Sequence, residues 1–463
     1  MASLETSALK ASQDKDKDKE HARRLPTTLR AMRHRNFQLF FSGQLVSLIG
    51  TWMQSVAQSW LVYRMTGSSL LLGSVGFASQ FPVFLASPLG GIVADRYNRH
   101  RVVIATQTAS MILAFILAAL TLTHRITVPE IFVLAILLGI VNAFDLPGRQ
   151  SFLVEMVGKD DLMNAIALNS SMFNGARVVG PAIAGILVAK IGEGWCFFAN
   201  AVSYIAVIIG LLLMNVSPRA IRPMGSAIAH VIEGFRFVRH TAPIRALLIL
   251  VGLVSLMAMP YTVLMPIFAD KILHGGGLRF AALIGSNDPG AVRLGVLMGA
   301  TGVGALLAGI ALAARTGVYG LGRWVMLACA GFGVSLIAFA LSHTFWLSAA
   351  LLVPVGFCMM LQMSSSNTLI QSMVHDDLRG RVMSVYAMSL IGMAPFGALF
   401  AGAVADRLGA PVTVIIGAVA CLGAAAIFGL HLPKTRDEAR RLIVAQQMVG
   451  GEPATEMTVP VEE

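Results

Sequence analysis

Residues 90–104 read GGIVADRYNRHRVVI. Small and apolar residues run into an acid, Asp95, and then three arginines, Arg96, Arg99 and Arg101, before apolar sequence resumes. A compact charged turn between two apolar runs is how a chain leaves a bilayer and re-enters it. An acid at a helix exit can face the positive N-terminus of a neighbouring helix, while arginines make charge-assisted hydrogen bonds. Gly91 is expected to let two helices pack closely.

The rest of the chain agrees with a membrane reading. Of 463 residues, 56% are hydrophobic and 13% charged, where a soluble protein keeps about a quarter charged. Apolar runs of about 20 residues cross a bilayer as helices. We place twelve, near 37–63, 69–94, 102–123, 128–154, 163–189, 195–215, 245–269, 291–314, 323–342, 345–371, 383–405 and 411–431. Placing the N-terminus inside puts most of the 35 lysines and arginines in the tails and inner loops, as the positive-inside rule requires. The net charge of +11 therefore orients the chain and meets anionic lipid. It is not a nucleic-acid footprint.

The expected organisation is a disordered cytoplasmic tail (1–34), a six-helix bundle (35–215), a cytoplasmic linker (216–244), a second six-helix bundle (245–432) and a cytoplasmic tail (433–463). Within the linker, AIAHVIEGFRFVRH reads either as an amphipathic helix on the membrane surface or as a plain connector. The halves repeat each other: VEMVGKDDL (154–162) echoes QSMVHDDL (371–378), and AGILVAKIG (184–192) echoes AGAVADRLG (401–409). Six-plus-six repeats are a transporter architecture, with the substrate site near the midplane between halves. The fold class is therefore an all-α membrane protein of twelve transmembrane helices in two six-helix repeats.

The turn after span two resembles the signature G-x-L-a-D-r-x-G-r-k of the major facilitator superfamily. Gly91, Val93, Ala94, Asp95, Arg96 and Arg99 match, and Asn98 replaces the second glycine, a residue that tolerates a left-handed backbone. In that superfamily the motif's arginine reaches an acid at the inner end of span four and locks the outward-open state. The matching acid is Glu155, so the resemblance implies a cytoplasmic gate of Gly91, Asp95, Arg96, Arg99 and Glu155. NAFDLPGRQSFLVEMV (142–157), NAIALNSSMFNGARVVGPAIAG (164–185) and the opening span (35–68) resemble the enterobactin-exporter and macrolide-efflux branch. The stretch 279–292 is longer than usual for that branch and reads as an added cap.

Three charges lie inside spans: Asp145 and, one turn on, Arg149 in span four, and Arg177 in span five. Each unpaired charge at the bilayer centre costs about 2.5–3.5 kcal/mol on insertion scales. The cheapest arrangement pairs Asp145 with an arginine, and Arg177 is the expected partner. Two readings stand: a static clamp of spans four and five, or a positively charged cavity lining that meets substrate or moves with protonation. Their repeat equivalents are Gln362, Ser366 and Ala394, so the charge belongs to one half only.

Gln54 and Gln58, with Trp52 and Trp60 close by, suit a ring-bearing ligand, although the tryptophans read equally as packing or interface anchors. Met359, Met360 and Met363 offer adaptable surface or ordinary packing. In span five, Pro181 removes the hydrogen bond to the carbonyl of Arg177 and bends the helix. Gly175, Gly180, Ala184 and Gly185 allow close helix approach, and G-P-x-x-A-G resembles the superfamily's antiporter motif, favouring export.

There is no nucleotide-binding loop, no metal constellation among the ten dispersed histidines and no nucleophile triad; no cofactor and no enzyme activity are expected. The four cysteines suggest neither disulfide nor metal. The expectation is a monomeric secondary transporter in a bacterial inner membrane, both termini cytoplasmic, exporting a siderophore-like molecule or amphipathic drug against protons. The alternatives are a facilitator or proton symporter importing a metabolite and, from another class, a non-transporting receptor or enzyme.

Overall fold

The computed structural model describes residues 27–158, 160–216, 227–273, 288–315 and 317–449. Among them the chain is almost entirely helical and contains no strand. Eleven helices are long and apolar enough to cross a membrane. The twelfth is span one, Arg35–Thr66, 32 residues long. Its hydropathy is diluted by Gln44, Gln54 and Gln58, two of which are buried against neighbouring helices. The fold is thus an all-α membrane protein of twelve spans.

Spans two to six are Ser69–Arg96, Arg99–Leu122, Val128–Val157, Leu162–Ile191 and Glu193–Leu212. Spans eight to ten are Pro289–Ala313, Leu321–Leu341 and Phe345–Met373. Packing repeats between the halves. Spans two and four, three and four, one and six, and three and six pair in the first half. Eight and ten, nine and ten, seven and twelve, and nine and twelve pair in the second. Across the halves, span five packs on span eight and span two on span eleven.

Bare backbone makes those cross-half seams. A Cβ on Gly185 would lie 2.8 Å from Gly295 Cα, and one on Gly73 would lie 2.9 Å from Gly402 Cα. Both pairs sit towards the outer face, meaning the face opposite the N-terminus.

Four expectations change. Span seven (Ala242–Ile272) is an α-helix only to Met257; Pro260 and Pro266 remove backbone donors, and a 3₁₀ segment (Met259–Leu264) and a π turn (Phe268–Ile272) follow. Span eleven breaks into Asp376–Leu390 and Ala394–Leu408, ahead of Pro395, and the Ser255 hydroxyl catches the Leu390 carbonyl at the break. Span five, by contrast, stays helical through Pro181. Of the tail read as disordered (1–34), residues 1–26 lie outside the described residues and Thr27–Arg33 is a 3₁₀ helix; the last helix runs to Val449 rather than ending near 431.

Residues 217–226 of the linker and 279–287 of the expected outer cap (279–292) lie outside the described residues. The linker segment Ala227–His240 is a helix that packs on the inner end of span eleven, where Glu233 pairs with Arg381.

Candidate functional site

Asp145 is 2% exposed and accepts from Thr106 Oγ1 at 2.8 Å and Gln107 Nε2 at 2.9 Å, both on span three. Its other oxygen meets Arg149 Nε at 2.7 Å, one turn along span four. The expected Asp145–Arg177 pair is therefore corrected. Asp145 faces span three and finds its cation on its own helix, so spans four and five are not clamped by it.

Arg177 points the other way. Its Nη2 lies 3.8 Å from Met359 Sδ on span ten, and its guanidinium stands 5.5 Å from the Trp52 ring centre on span one. Tyr261 of span seven is within electrostatic range. Among the described residues Arg177 has no carboxylate within ion-pair reach. A half-buried cation at the junction of both halves, beside an indole and a thioether, can hold an anion or a carbonyl-rich ring system.

Of the span-five glycines, Gly180 is required: a Cβ there would lie 2.6 Å from Trp52 Cβ and 2.8 Å from the Ile49 carbonyl. It seats span five on span one beside Arg177. Gly185 makes the seam with span eight. Gly175 faces open space and makes no close contact, contrary to expectation.

Two of the three candidate amides are buried. Gln54 is buried and accepts from Asn200 Nδ2 at 2.6 Å, tying spans one and six. Gln362 is 1% exposed and reaches Ser366 on its own helix. Each turns into its own half, the cheaper solution in a medium without water, although the Gln362 carbonyl oxygen finds no partner among the described residues. Gln58 is half-buried.

At the inner face, Arg99 Nη1 meets Glu155 Oε1 at 3.0 Å and also donates to the Ser151 carbonyl. Both ends of this pair belong to the first half, and it is formed here while the outer face is sealed. Its formation alone therefore does not separate the two transport states. Arg96 is exposed. The side chain of Asp95 lies outside the described residues. The close-packing glycine is Gly90, whose Cβ would fall 2.0 Å from the Ala143 carbonyl; Gly91 faces open space. Asn98 takes extended rather than left-handed backbone, and its side chain caps span three by accepting from Arg101 N. Asp161 ties the 27–33 segment to span five, accepting from His34 Nε2 at 2.8 Å and Arg30 Nε at 2.9 Å. The hydrogen bond from His34 holds the Asp161 carboxyl below the usual range.

Sequence reasoning missed the outer seal. Trp60 Nε1 donates to Asp288 Oδ2 at 2.9 Å, and Tyr63 Oη donates to Asp270 Oδ2 at 3.0 Å. Both bonds join span one to the second half. Bare Gly290 gives the Trp60 ring its seat, and buried Arg293 donates to the Ala269 carbonyl beside it. The signal was present as two aromatics one turn apart near the outer end of span one, facing acids at the outer ends of spans seven and eight. Cys329 and Cys421, read as unrelated, face each other across spans nine and twelve with Sγ atoms 3.3 Å apart; both are free and buried.

The chain is similar to known transporters over nearly its whole length. It is 26% identical to the staphyloferrin A transporter of Staphylococcus aureus over 376 residues, covering 80% of this chain and 89% of that one. It is 26% identical to the multidrug efflux pump Tap of Mycolicibacterium fortuitum, covering 86% and 96%. It is 25% identical to the enterobactin exporter EntS of Escherichia coli, covering 88% and 93%. Among solved structures, a POT family transporter in complex with 5-aminolevulinic acid superposes with a TM-score of 0.68 at 12% identity, over 87% of this chain and 97% of that one. The nucleoside transporter NupG gives 0.64 at 15% identity, over 86% and 98%. These structural likenesses show the fold alone. The transmembrane secretion effector model matches residues 26–457, and the chain belongs to that family of major facilitator superfamily transporters: it is a multi-pass membrane transporter and not an enzyme.

Proposed function

We propose that this transporter exports a small, ring-bearing, anionic or carbonyl-rich molecule, siderophore-like or an amphipathic drug, by alternating access against protons. It works as a monomer in a bacterial inner membrane with both termini cytoplasmic. One observation carries the substrate class: Arg177, without a carboxylate, stands between the halves against Trp52 and Met359. A charge kept in that position is retained at a cost in folding, and ligand binding is what can offset it. The names of the relatives, two of them siderophore transporters and one a drug pump, support the same class. Export is supported by the G-P-x-x-A-G stretch of span five.

For the proton, Asp145 is the membrane carboxylate of the cluster. Thr106, Gln107 and Arg149 hold it in this state, so it takes a proton only where that set loosens. Asp145→Asn is expected to lose transport driven by a pH gradient and keep counterflow; unchanged gradient-driven transport would remove Asp145 from the role. The direct test of substrate class compares the culture supernatant of a deletion strain with its parent, alongside a drug-susceptibility panel. Loss of one secreted anionic metabolite, restored by the wild-type gene but not by Arg177→Ala, is the expected result. An unchanged supernatant with unchanged susceptibility would overturn the export reading.

A further inference from the structure

The second half holds a feature that transport between the halves does not use. At the inner ends of spans seven, nine, ten and twelve, a groove encloses about 150 Å³. Its walls are apolar, with Leu247, Leu369 and Phe428 each from a different span, and its rim carries Arg323, Arg436 and Arg440. The Arg436 guanidinium donates to Tyr319 Oη at 3.1 Å. Among the described residues, neither Arg323 nor Arg436 meets a carboxylate. Asp437 and Glu438 follow on the same helix but do not line the groove. The first turns of spans seven and nine and the last of span ten lie here, so the groove opens at the level where the helices leave the bilayer.

An apolar slot whose rim is cationic, at the end of a transmembrane bundle, is complementary to an amphiphile with an anionic head. Basic pockets between transmembrane helices recognise phosphate head groups in this way, while acyl chain covers the apolar wall. We propose that the groove binds an anionic phospholipid, its phosphate held by Arg323, Arg436 and Arg440 and the first part of an acyl chain lying against Leu247, Leu369 and Phe428. The lipid would wedge spans nine and twelve at one end of the bundle, so its effect falls on the stability of the second half rather than on substrate recognition at Arg177.

The test uses the full chain, purified and delipidated, with phosphatidylglycerol and phosphatidylcholine as probes and bound lipid read by native mass spectrometry. Wild type is expected to retain phosphatidylglycerol at least tenfold better than phosphatidylcholine, a preference that weakens as salt rises. The Arg323→Ala/Arg436→Ala double variant is expected to lose that preference. Ala439→Trp, which fills the groove from its half-exposed wall, is expected to lower retention of phosphatidylglycerol while leaving the arginines in place; a thermal melt of each variant reports folding. Equal retention of the two lipids by wild type overturns the proposal, as does an unchanged preference in either folded variant. Glycerol phosphate competing as well as the lipid would reduce the site to a free-anion site and overturn it too. Tighter lipid binding after removal of residues 450–463 would identify the acidic C-terminal segment as the native occupant instead.

Discussion

Two charged places lie inside the first half, and they are built on opposite plans. At the span-four site, Asp145 is enclosed by Thr106, Gln107 and Arg149, all of the same half. At the span-five site, Arg177 faces span one of its own half and span ten of the other, with no acid in ion-pair reach among the described residues. When the halves move, the first set moves as one body and the second is pulled apart. A charge whose partners lie in its own half stays paired until that half itself loosens, whereas a charge facing across a moving seam is free to meet a ligand. The distinction is geometric, and it can be broken at either end.

The largest effect is expected at the enclosed site. Asp145→Ala strands Arg149 and two donors in the membrane, and breaking a buried pair from one side costs about 3–5 kcal/mol. Folded yield and melting in detergent should fall sharply. A variant as stable as wild type would show that Asp145 is not the knot described. Arg177→Ala is the mirror experiment. It should leave melting nearly unchanged, since no ion pair is lost, and lower transport of an anionic substrate about 10–100-fold, the worth of a charged hydrogen bond of about 1.5–3 kcal/mol. If melting collapses instead, Arg177 is structural and the contrast fails.

The seam itself can be sharpened at the outer seal. Trp60→Phe keeps an aromatic side chain but deletes the bond to Asp288, a loss of about 0.5–1.5 kcal/mol, and gives up the indole's contact with Gly290. The population should shift towards the outward-open state by up to about tenfold, read as labelling of a cysteine placed in the outer half of the cavity. Unaltered labelling would mean that the Trp60 bond does not help to hold the outer face shut. The smallest effect concerns the 27–33 segment. The carboxyl of Asp161 has a lowered pKa in the fold, so the stability it lends is complete above its unfolded value and is lost as pH falls through its folded value. Proteolysis of the N-terminal segment should rise over that acid range in wild type. In Asp161→Asn it should already be high at neutral pH, and equal cleavage of the two proteins would dismiss the tether.

The spans were legible because bilayer thickness writes itself into runs of apolar residues; the helices differ from those runs by a few residues at most ends. The breaks in spans seven and eleven were less legible, because a proline marks where a donor is missing and not whether the helix tolerates it. Pro181 is carried inside an unbroken helix, whereas Pro260 and Pro395 stand at interruptions. The charged site was half legible. Composition put Asp145, Arg149 and Arg177 in the membrane, but which way a side chain faces depends on the neighbouring helix, and Thr106 and Gln107 gave no sequence signal of their own. The glycines teach the same lesson: Gly90, not Gly91, touches the neighbouring backbone, a difference of about 100° around the helix.

The two glycine seams have a mechanical meaning. Gly185 against Gly295 and Gly73 against Gly402 are two points of backbone contact on separate helix pairs, and two points define a line. Rotation about that line leaves the seams intact, so the halves can roll without parting. From Gly185 to the inner end of the same helix at Leu162 is about 35 Å at 1.5 Å per residue. A roll of about 10° therefore swings that end by about 6 Å, enough to open or close a mouth for a small molecule. A side chain at any of these four positions would move the axle, not the cargo.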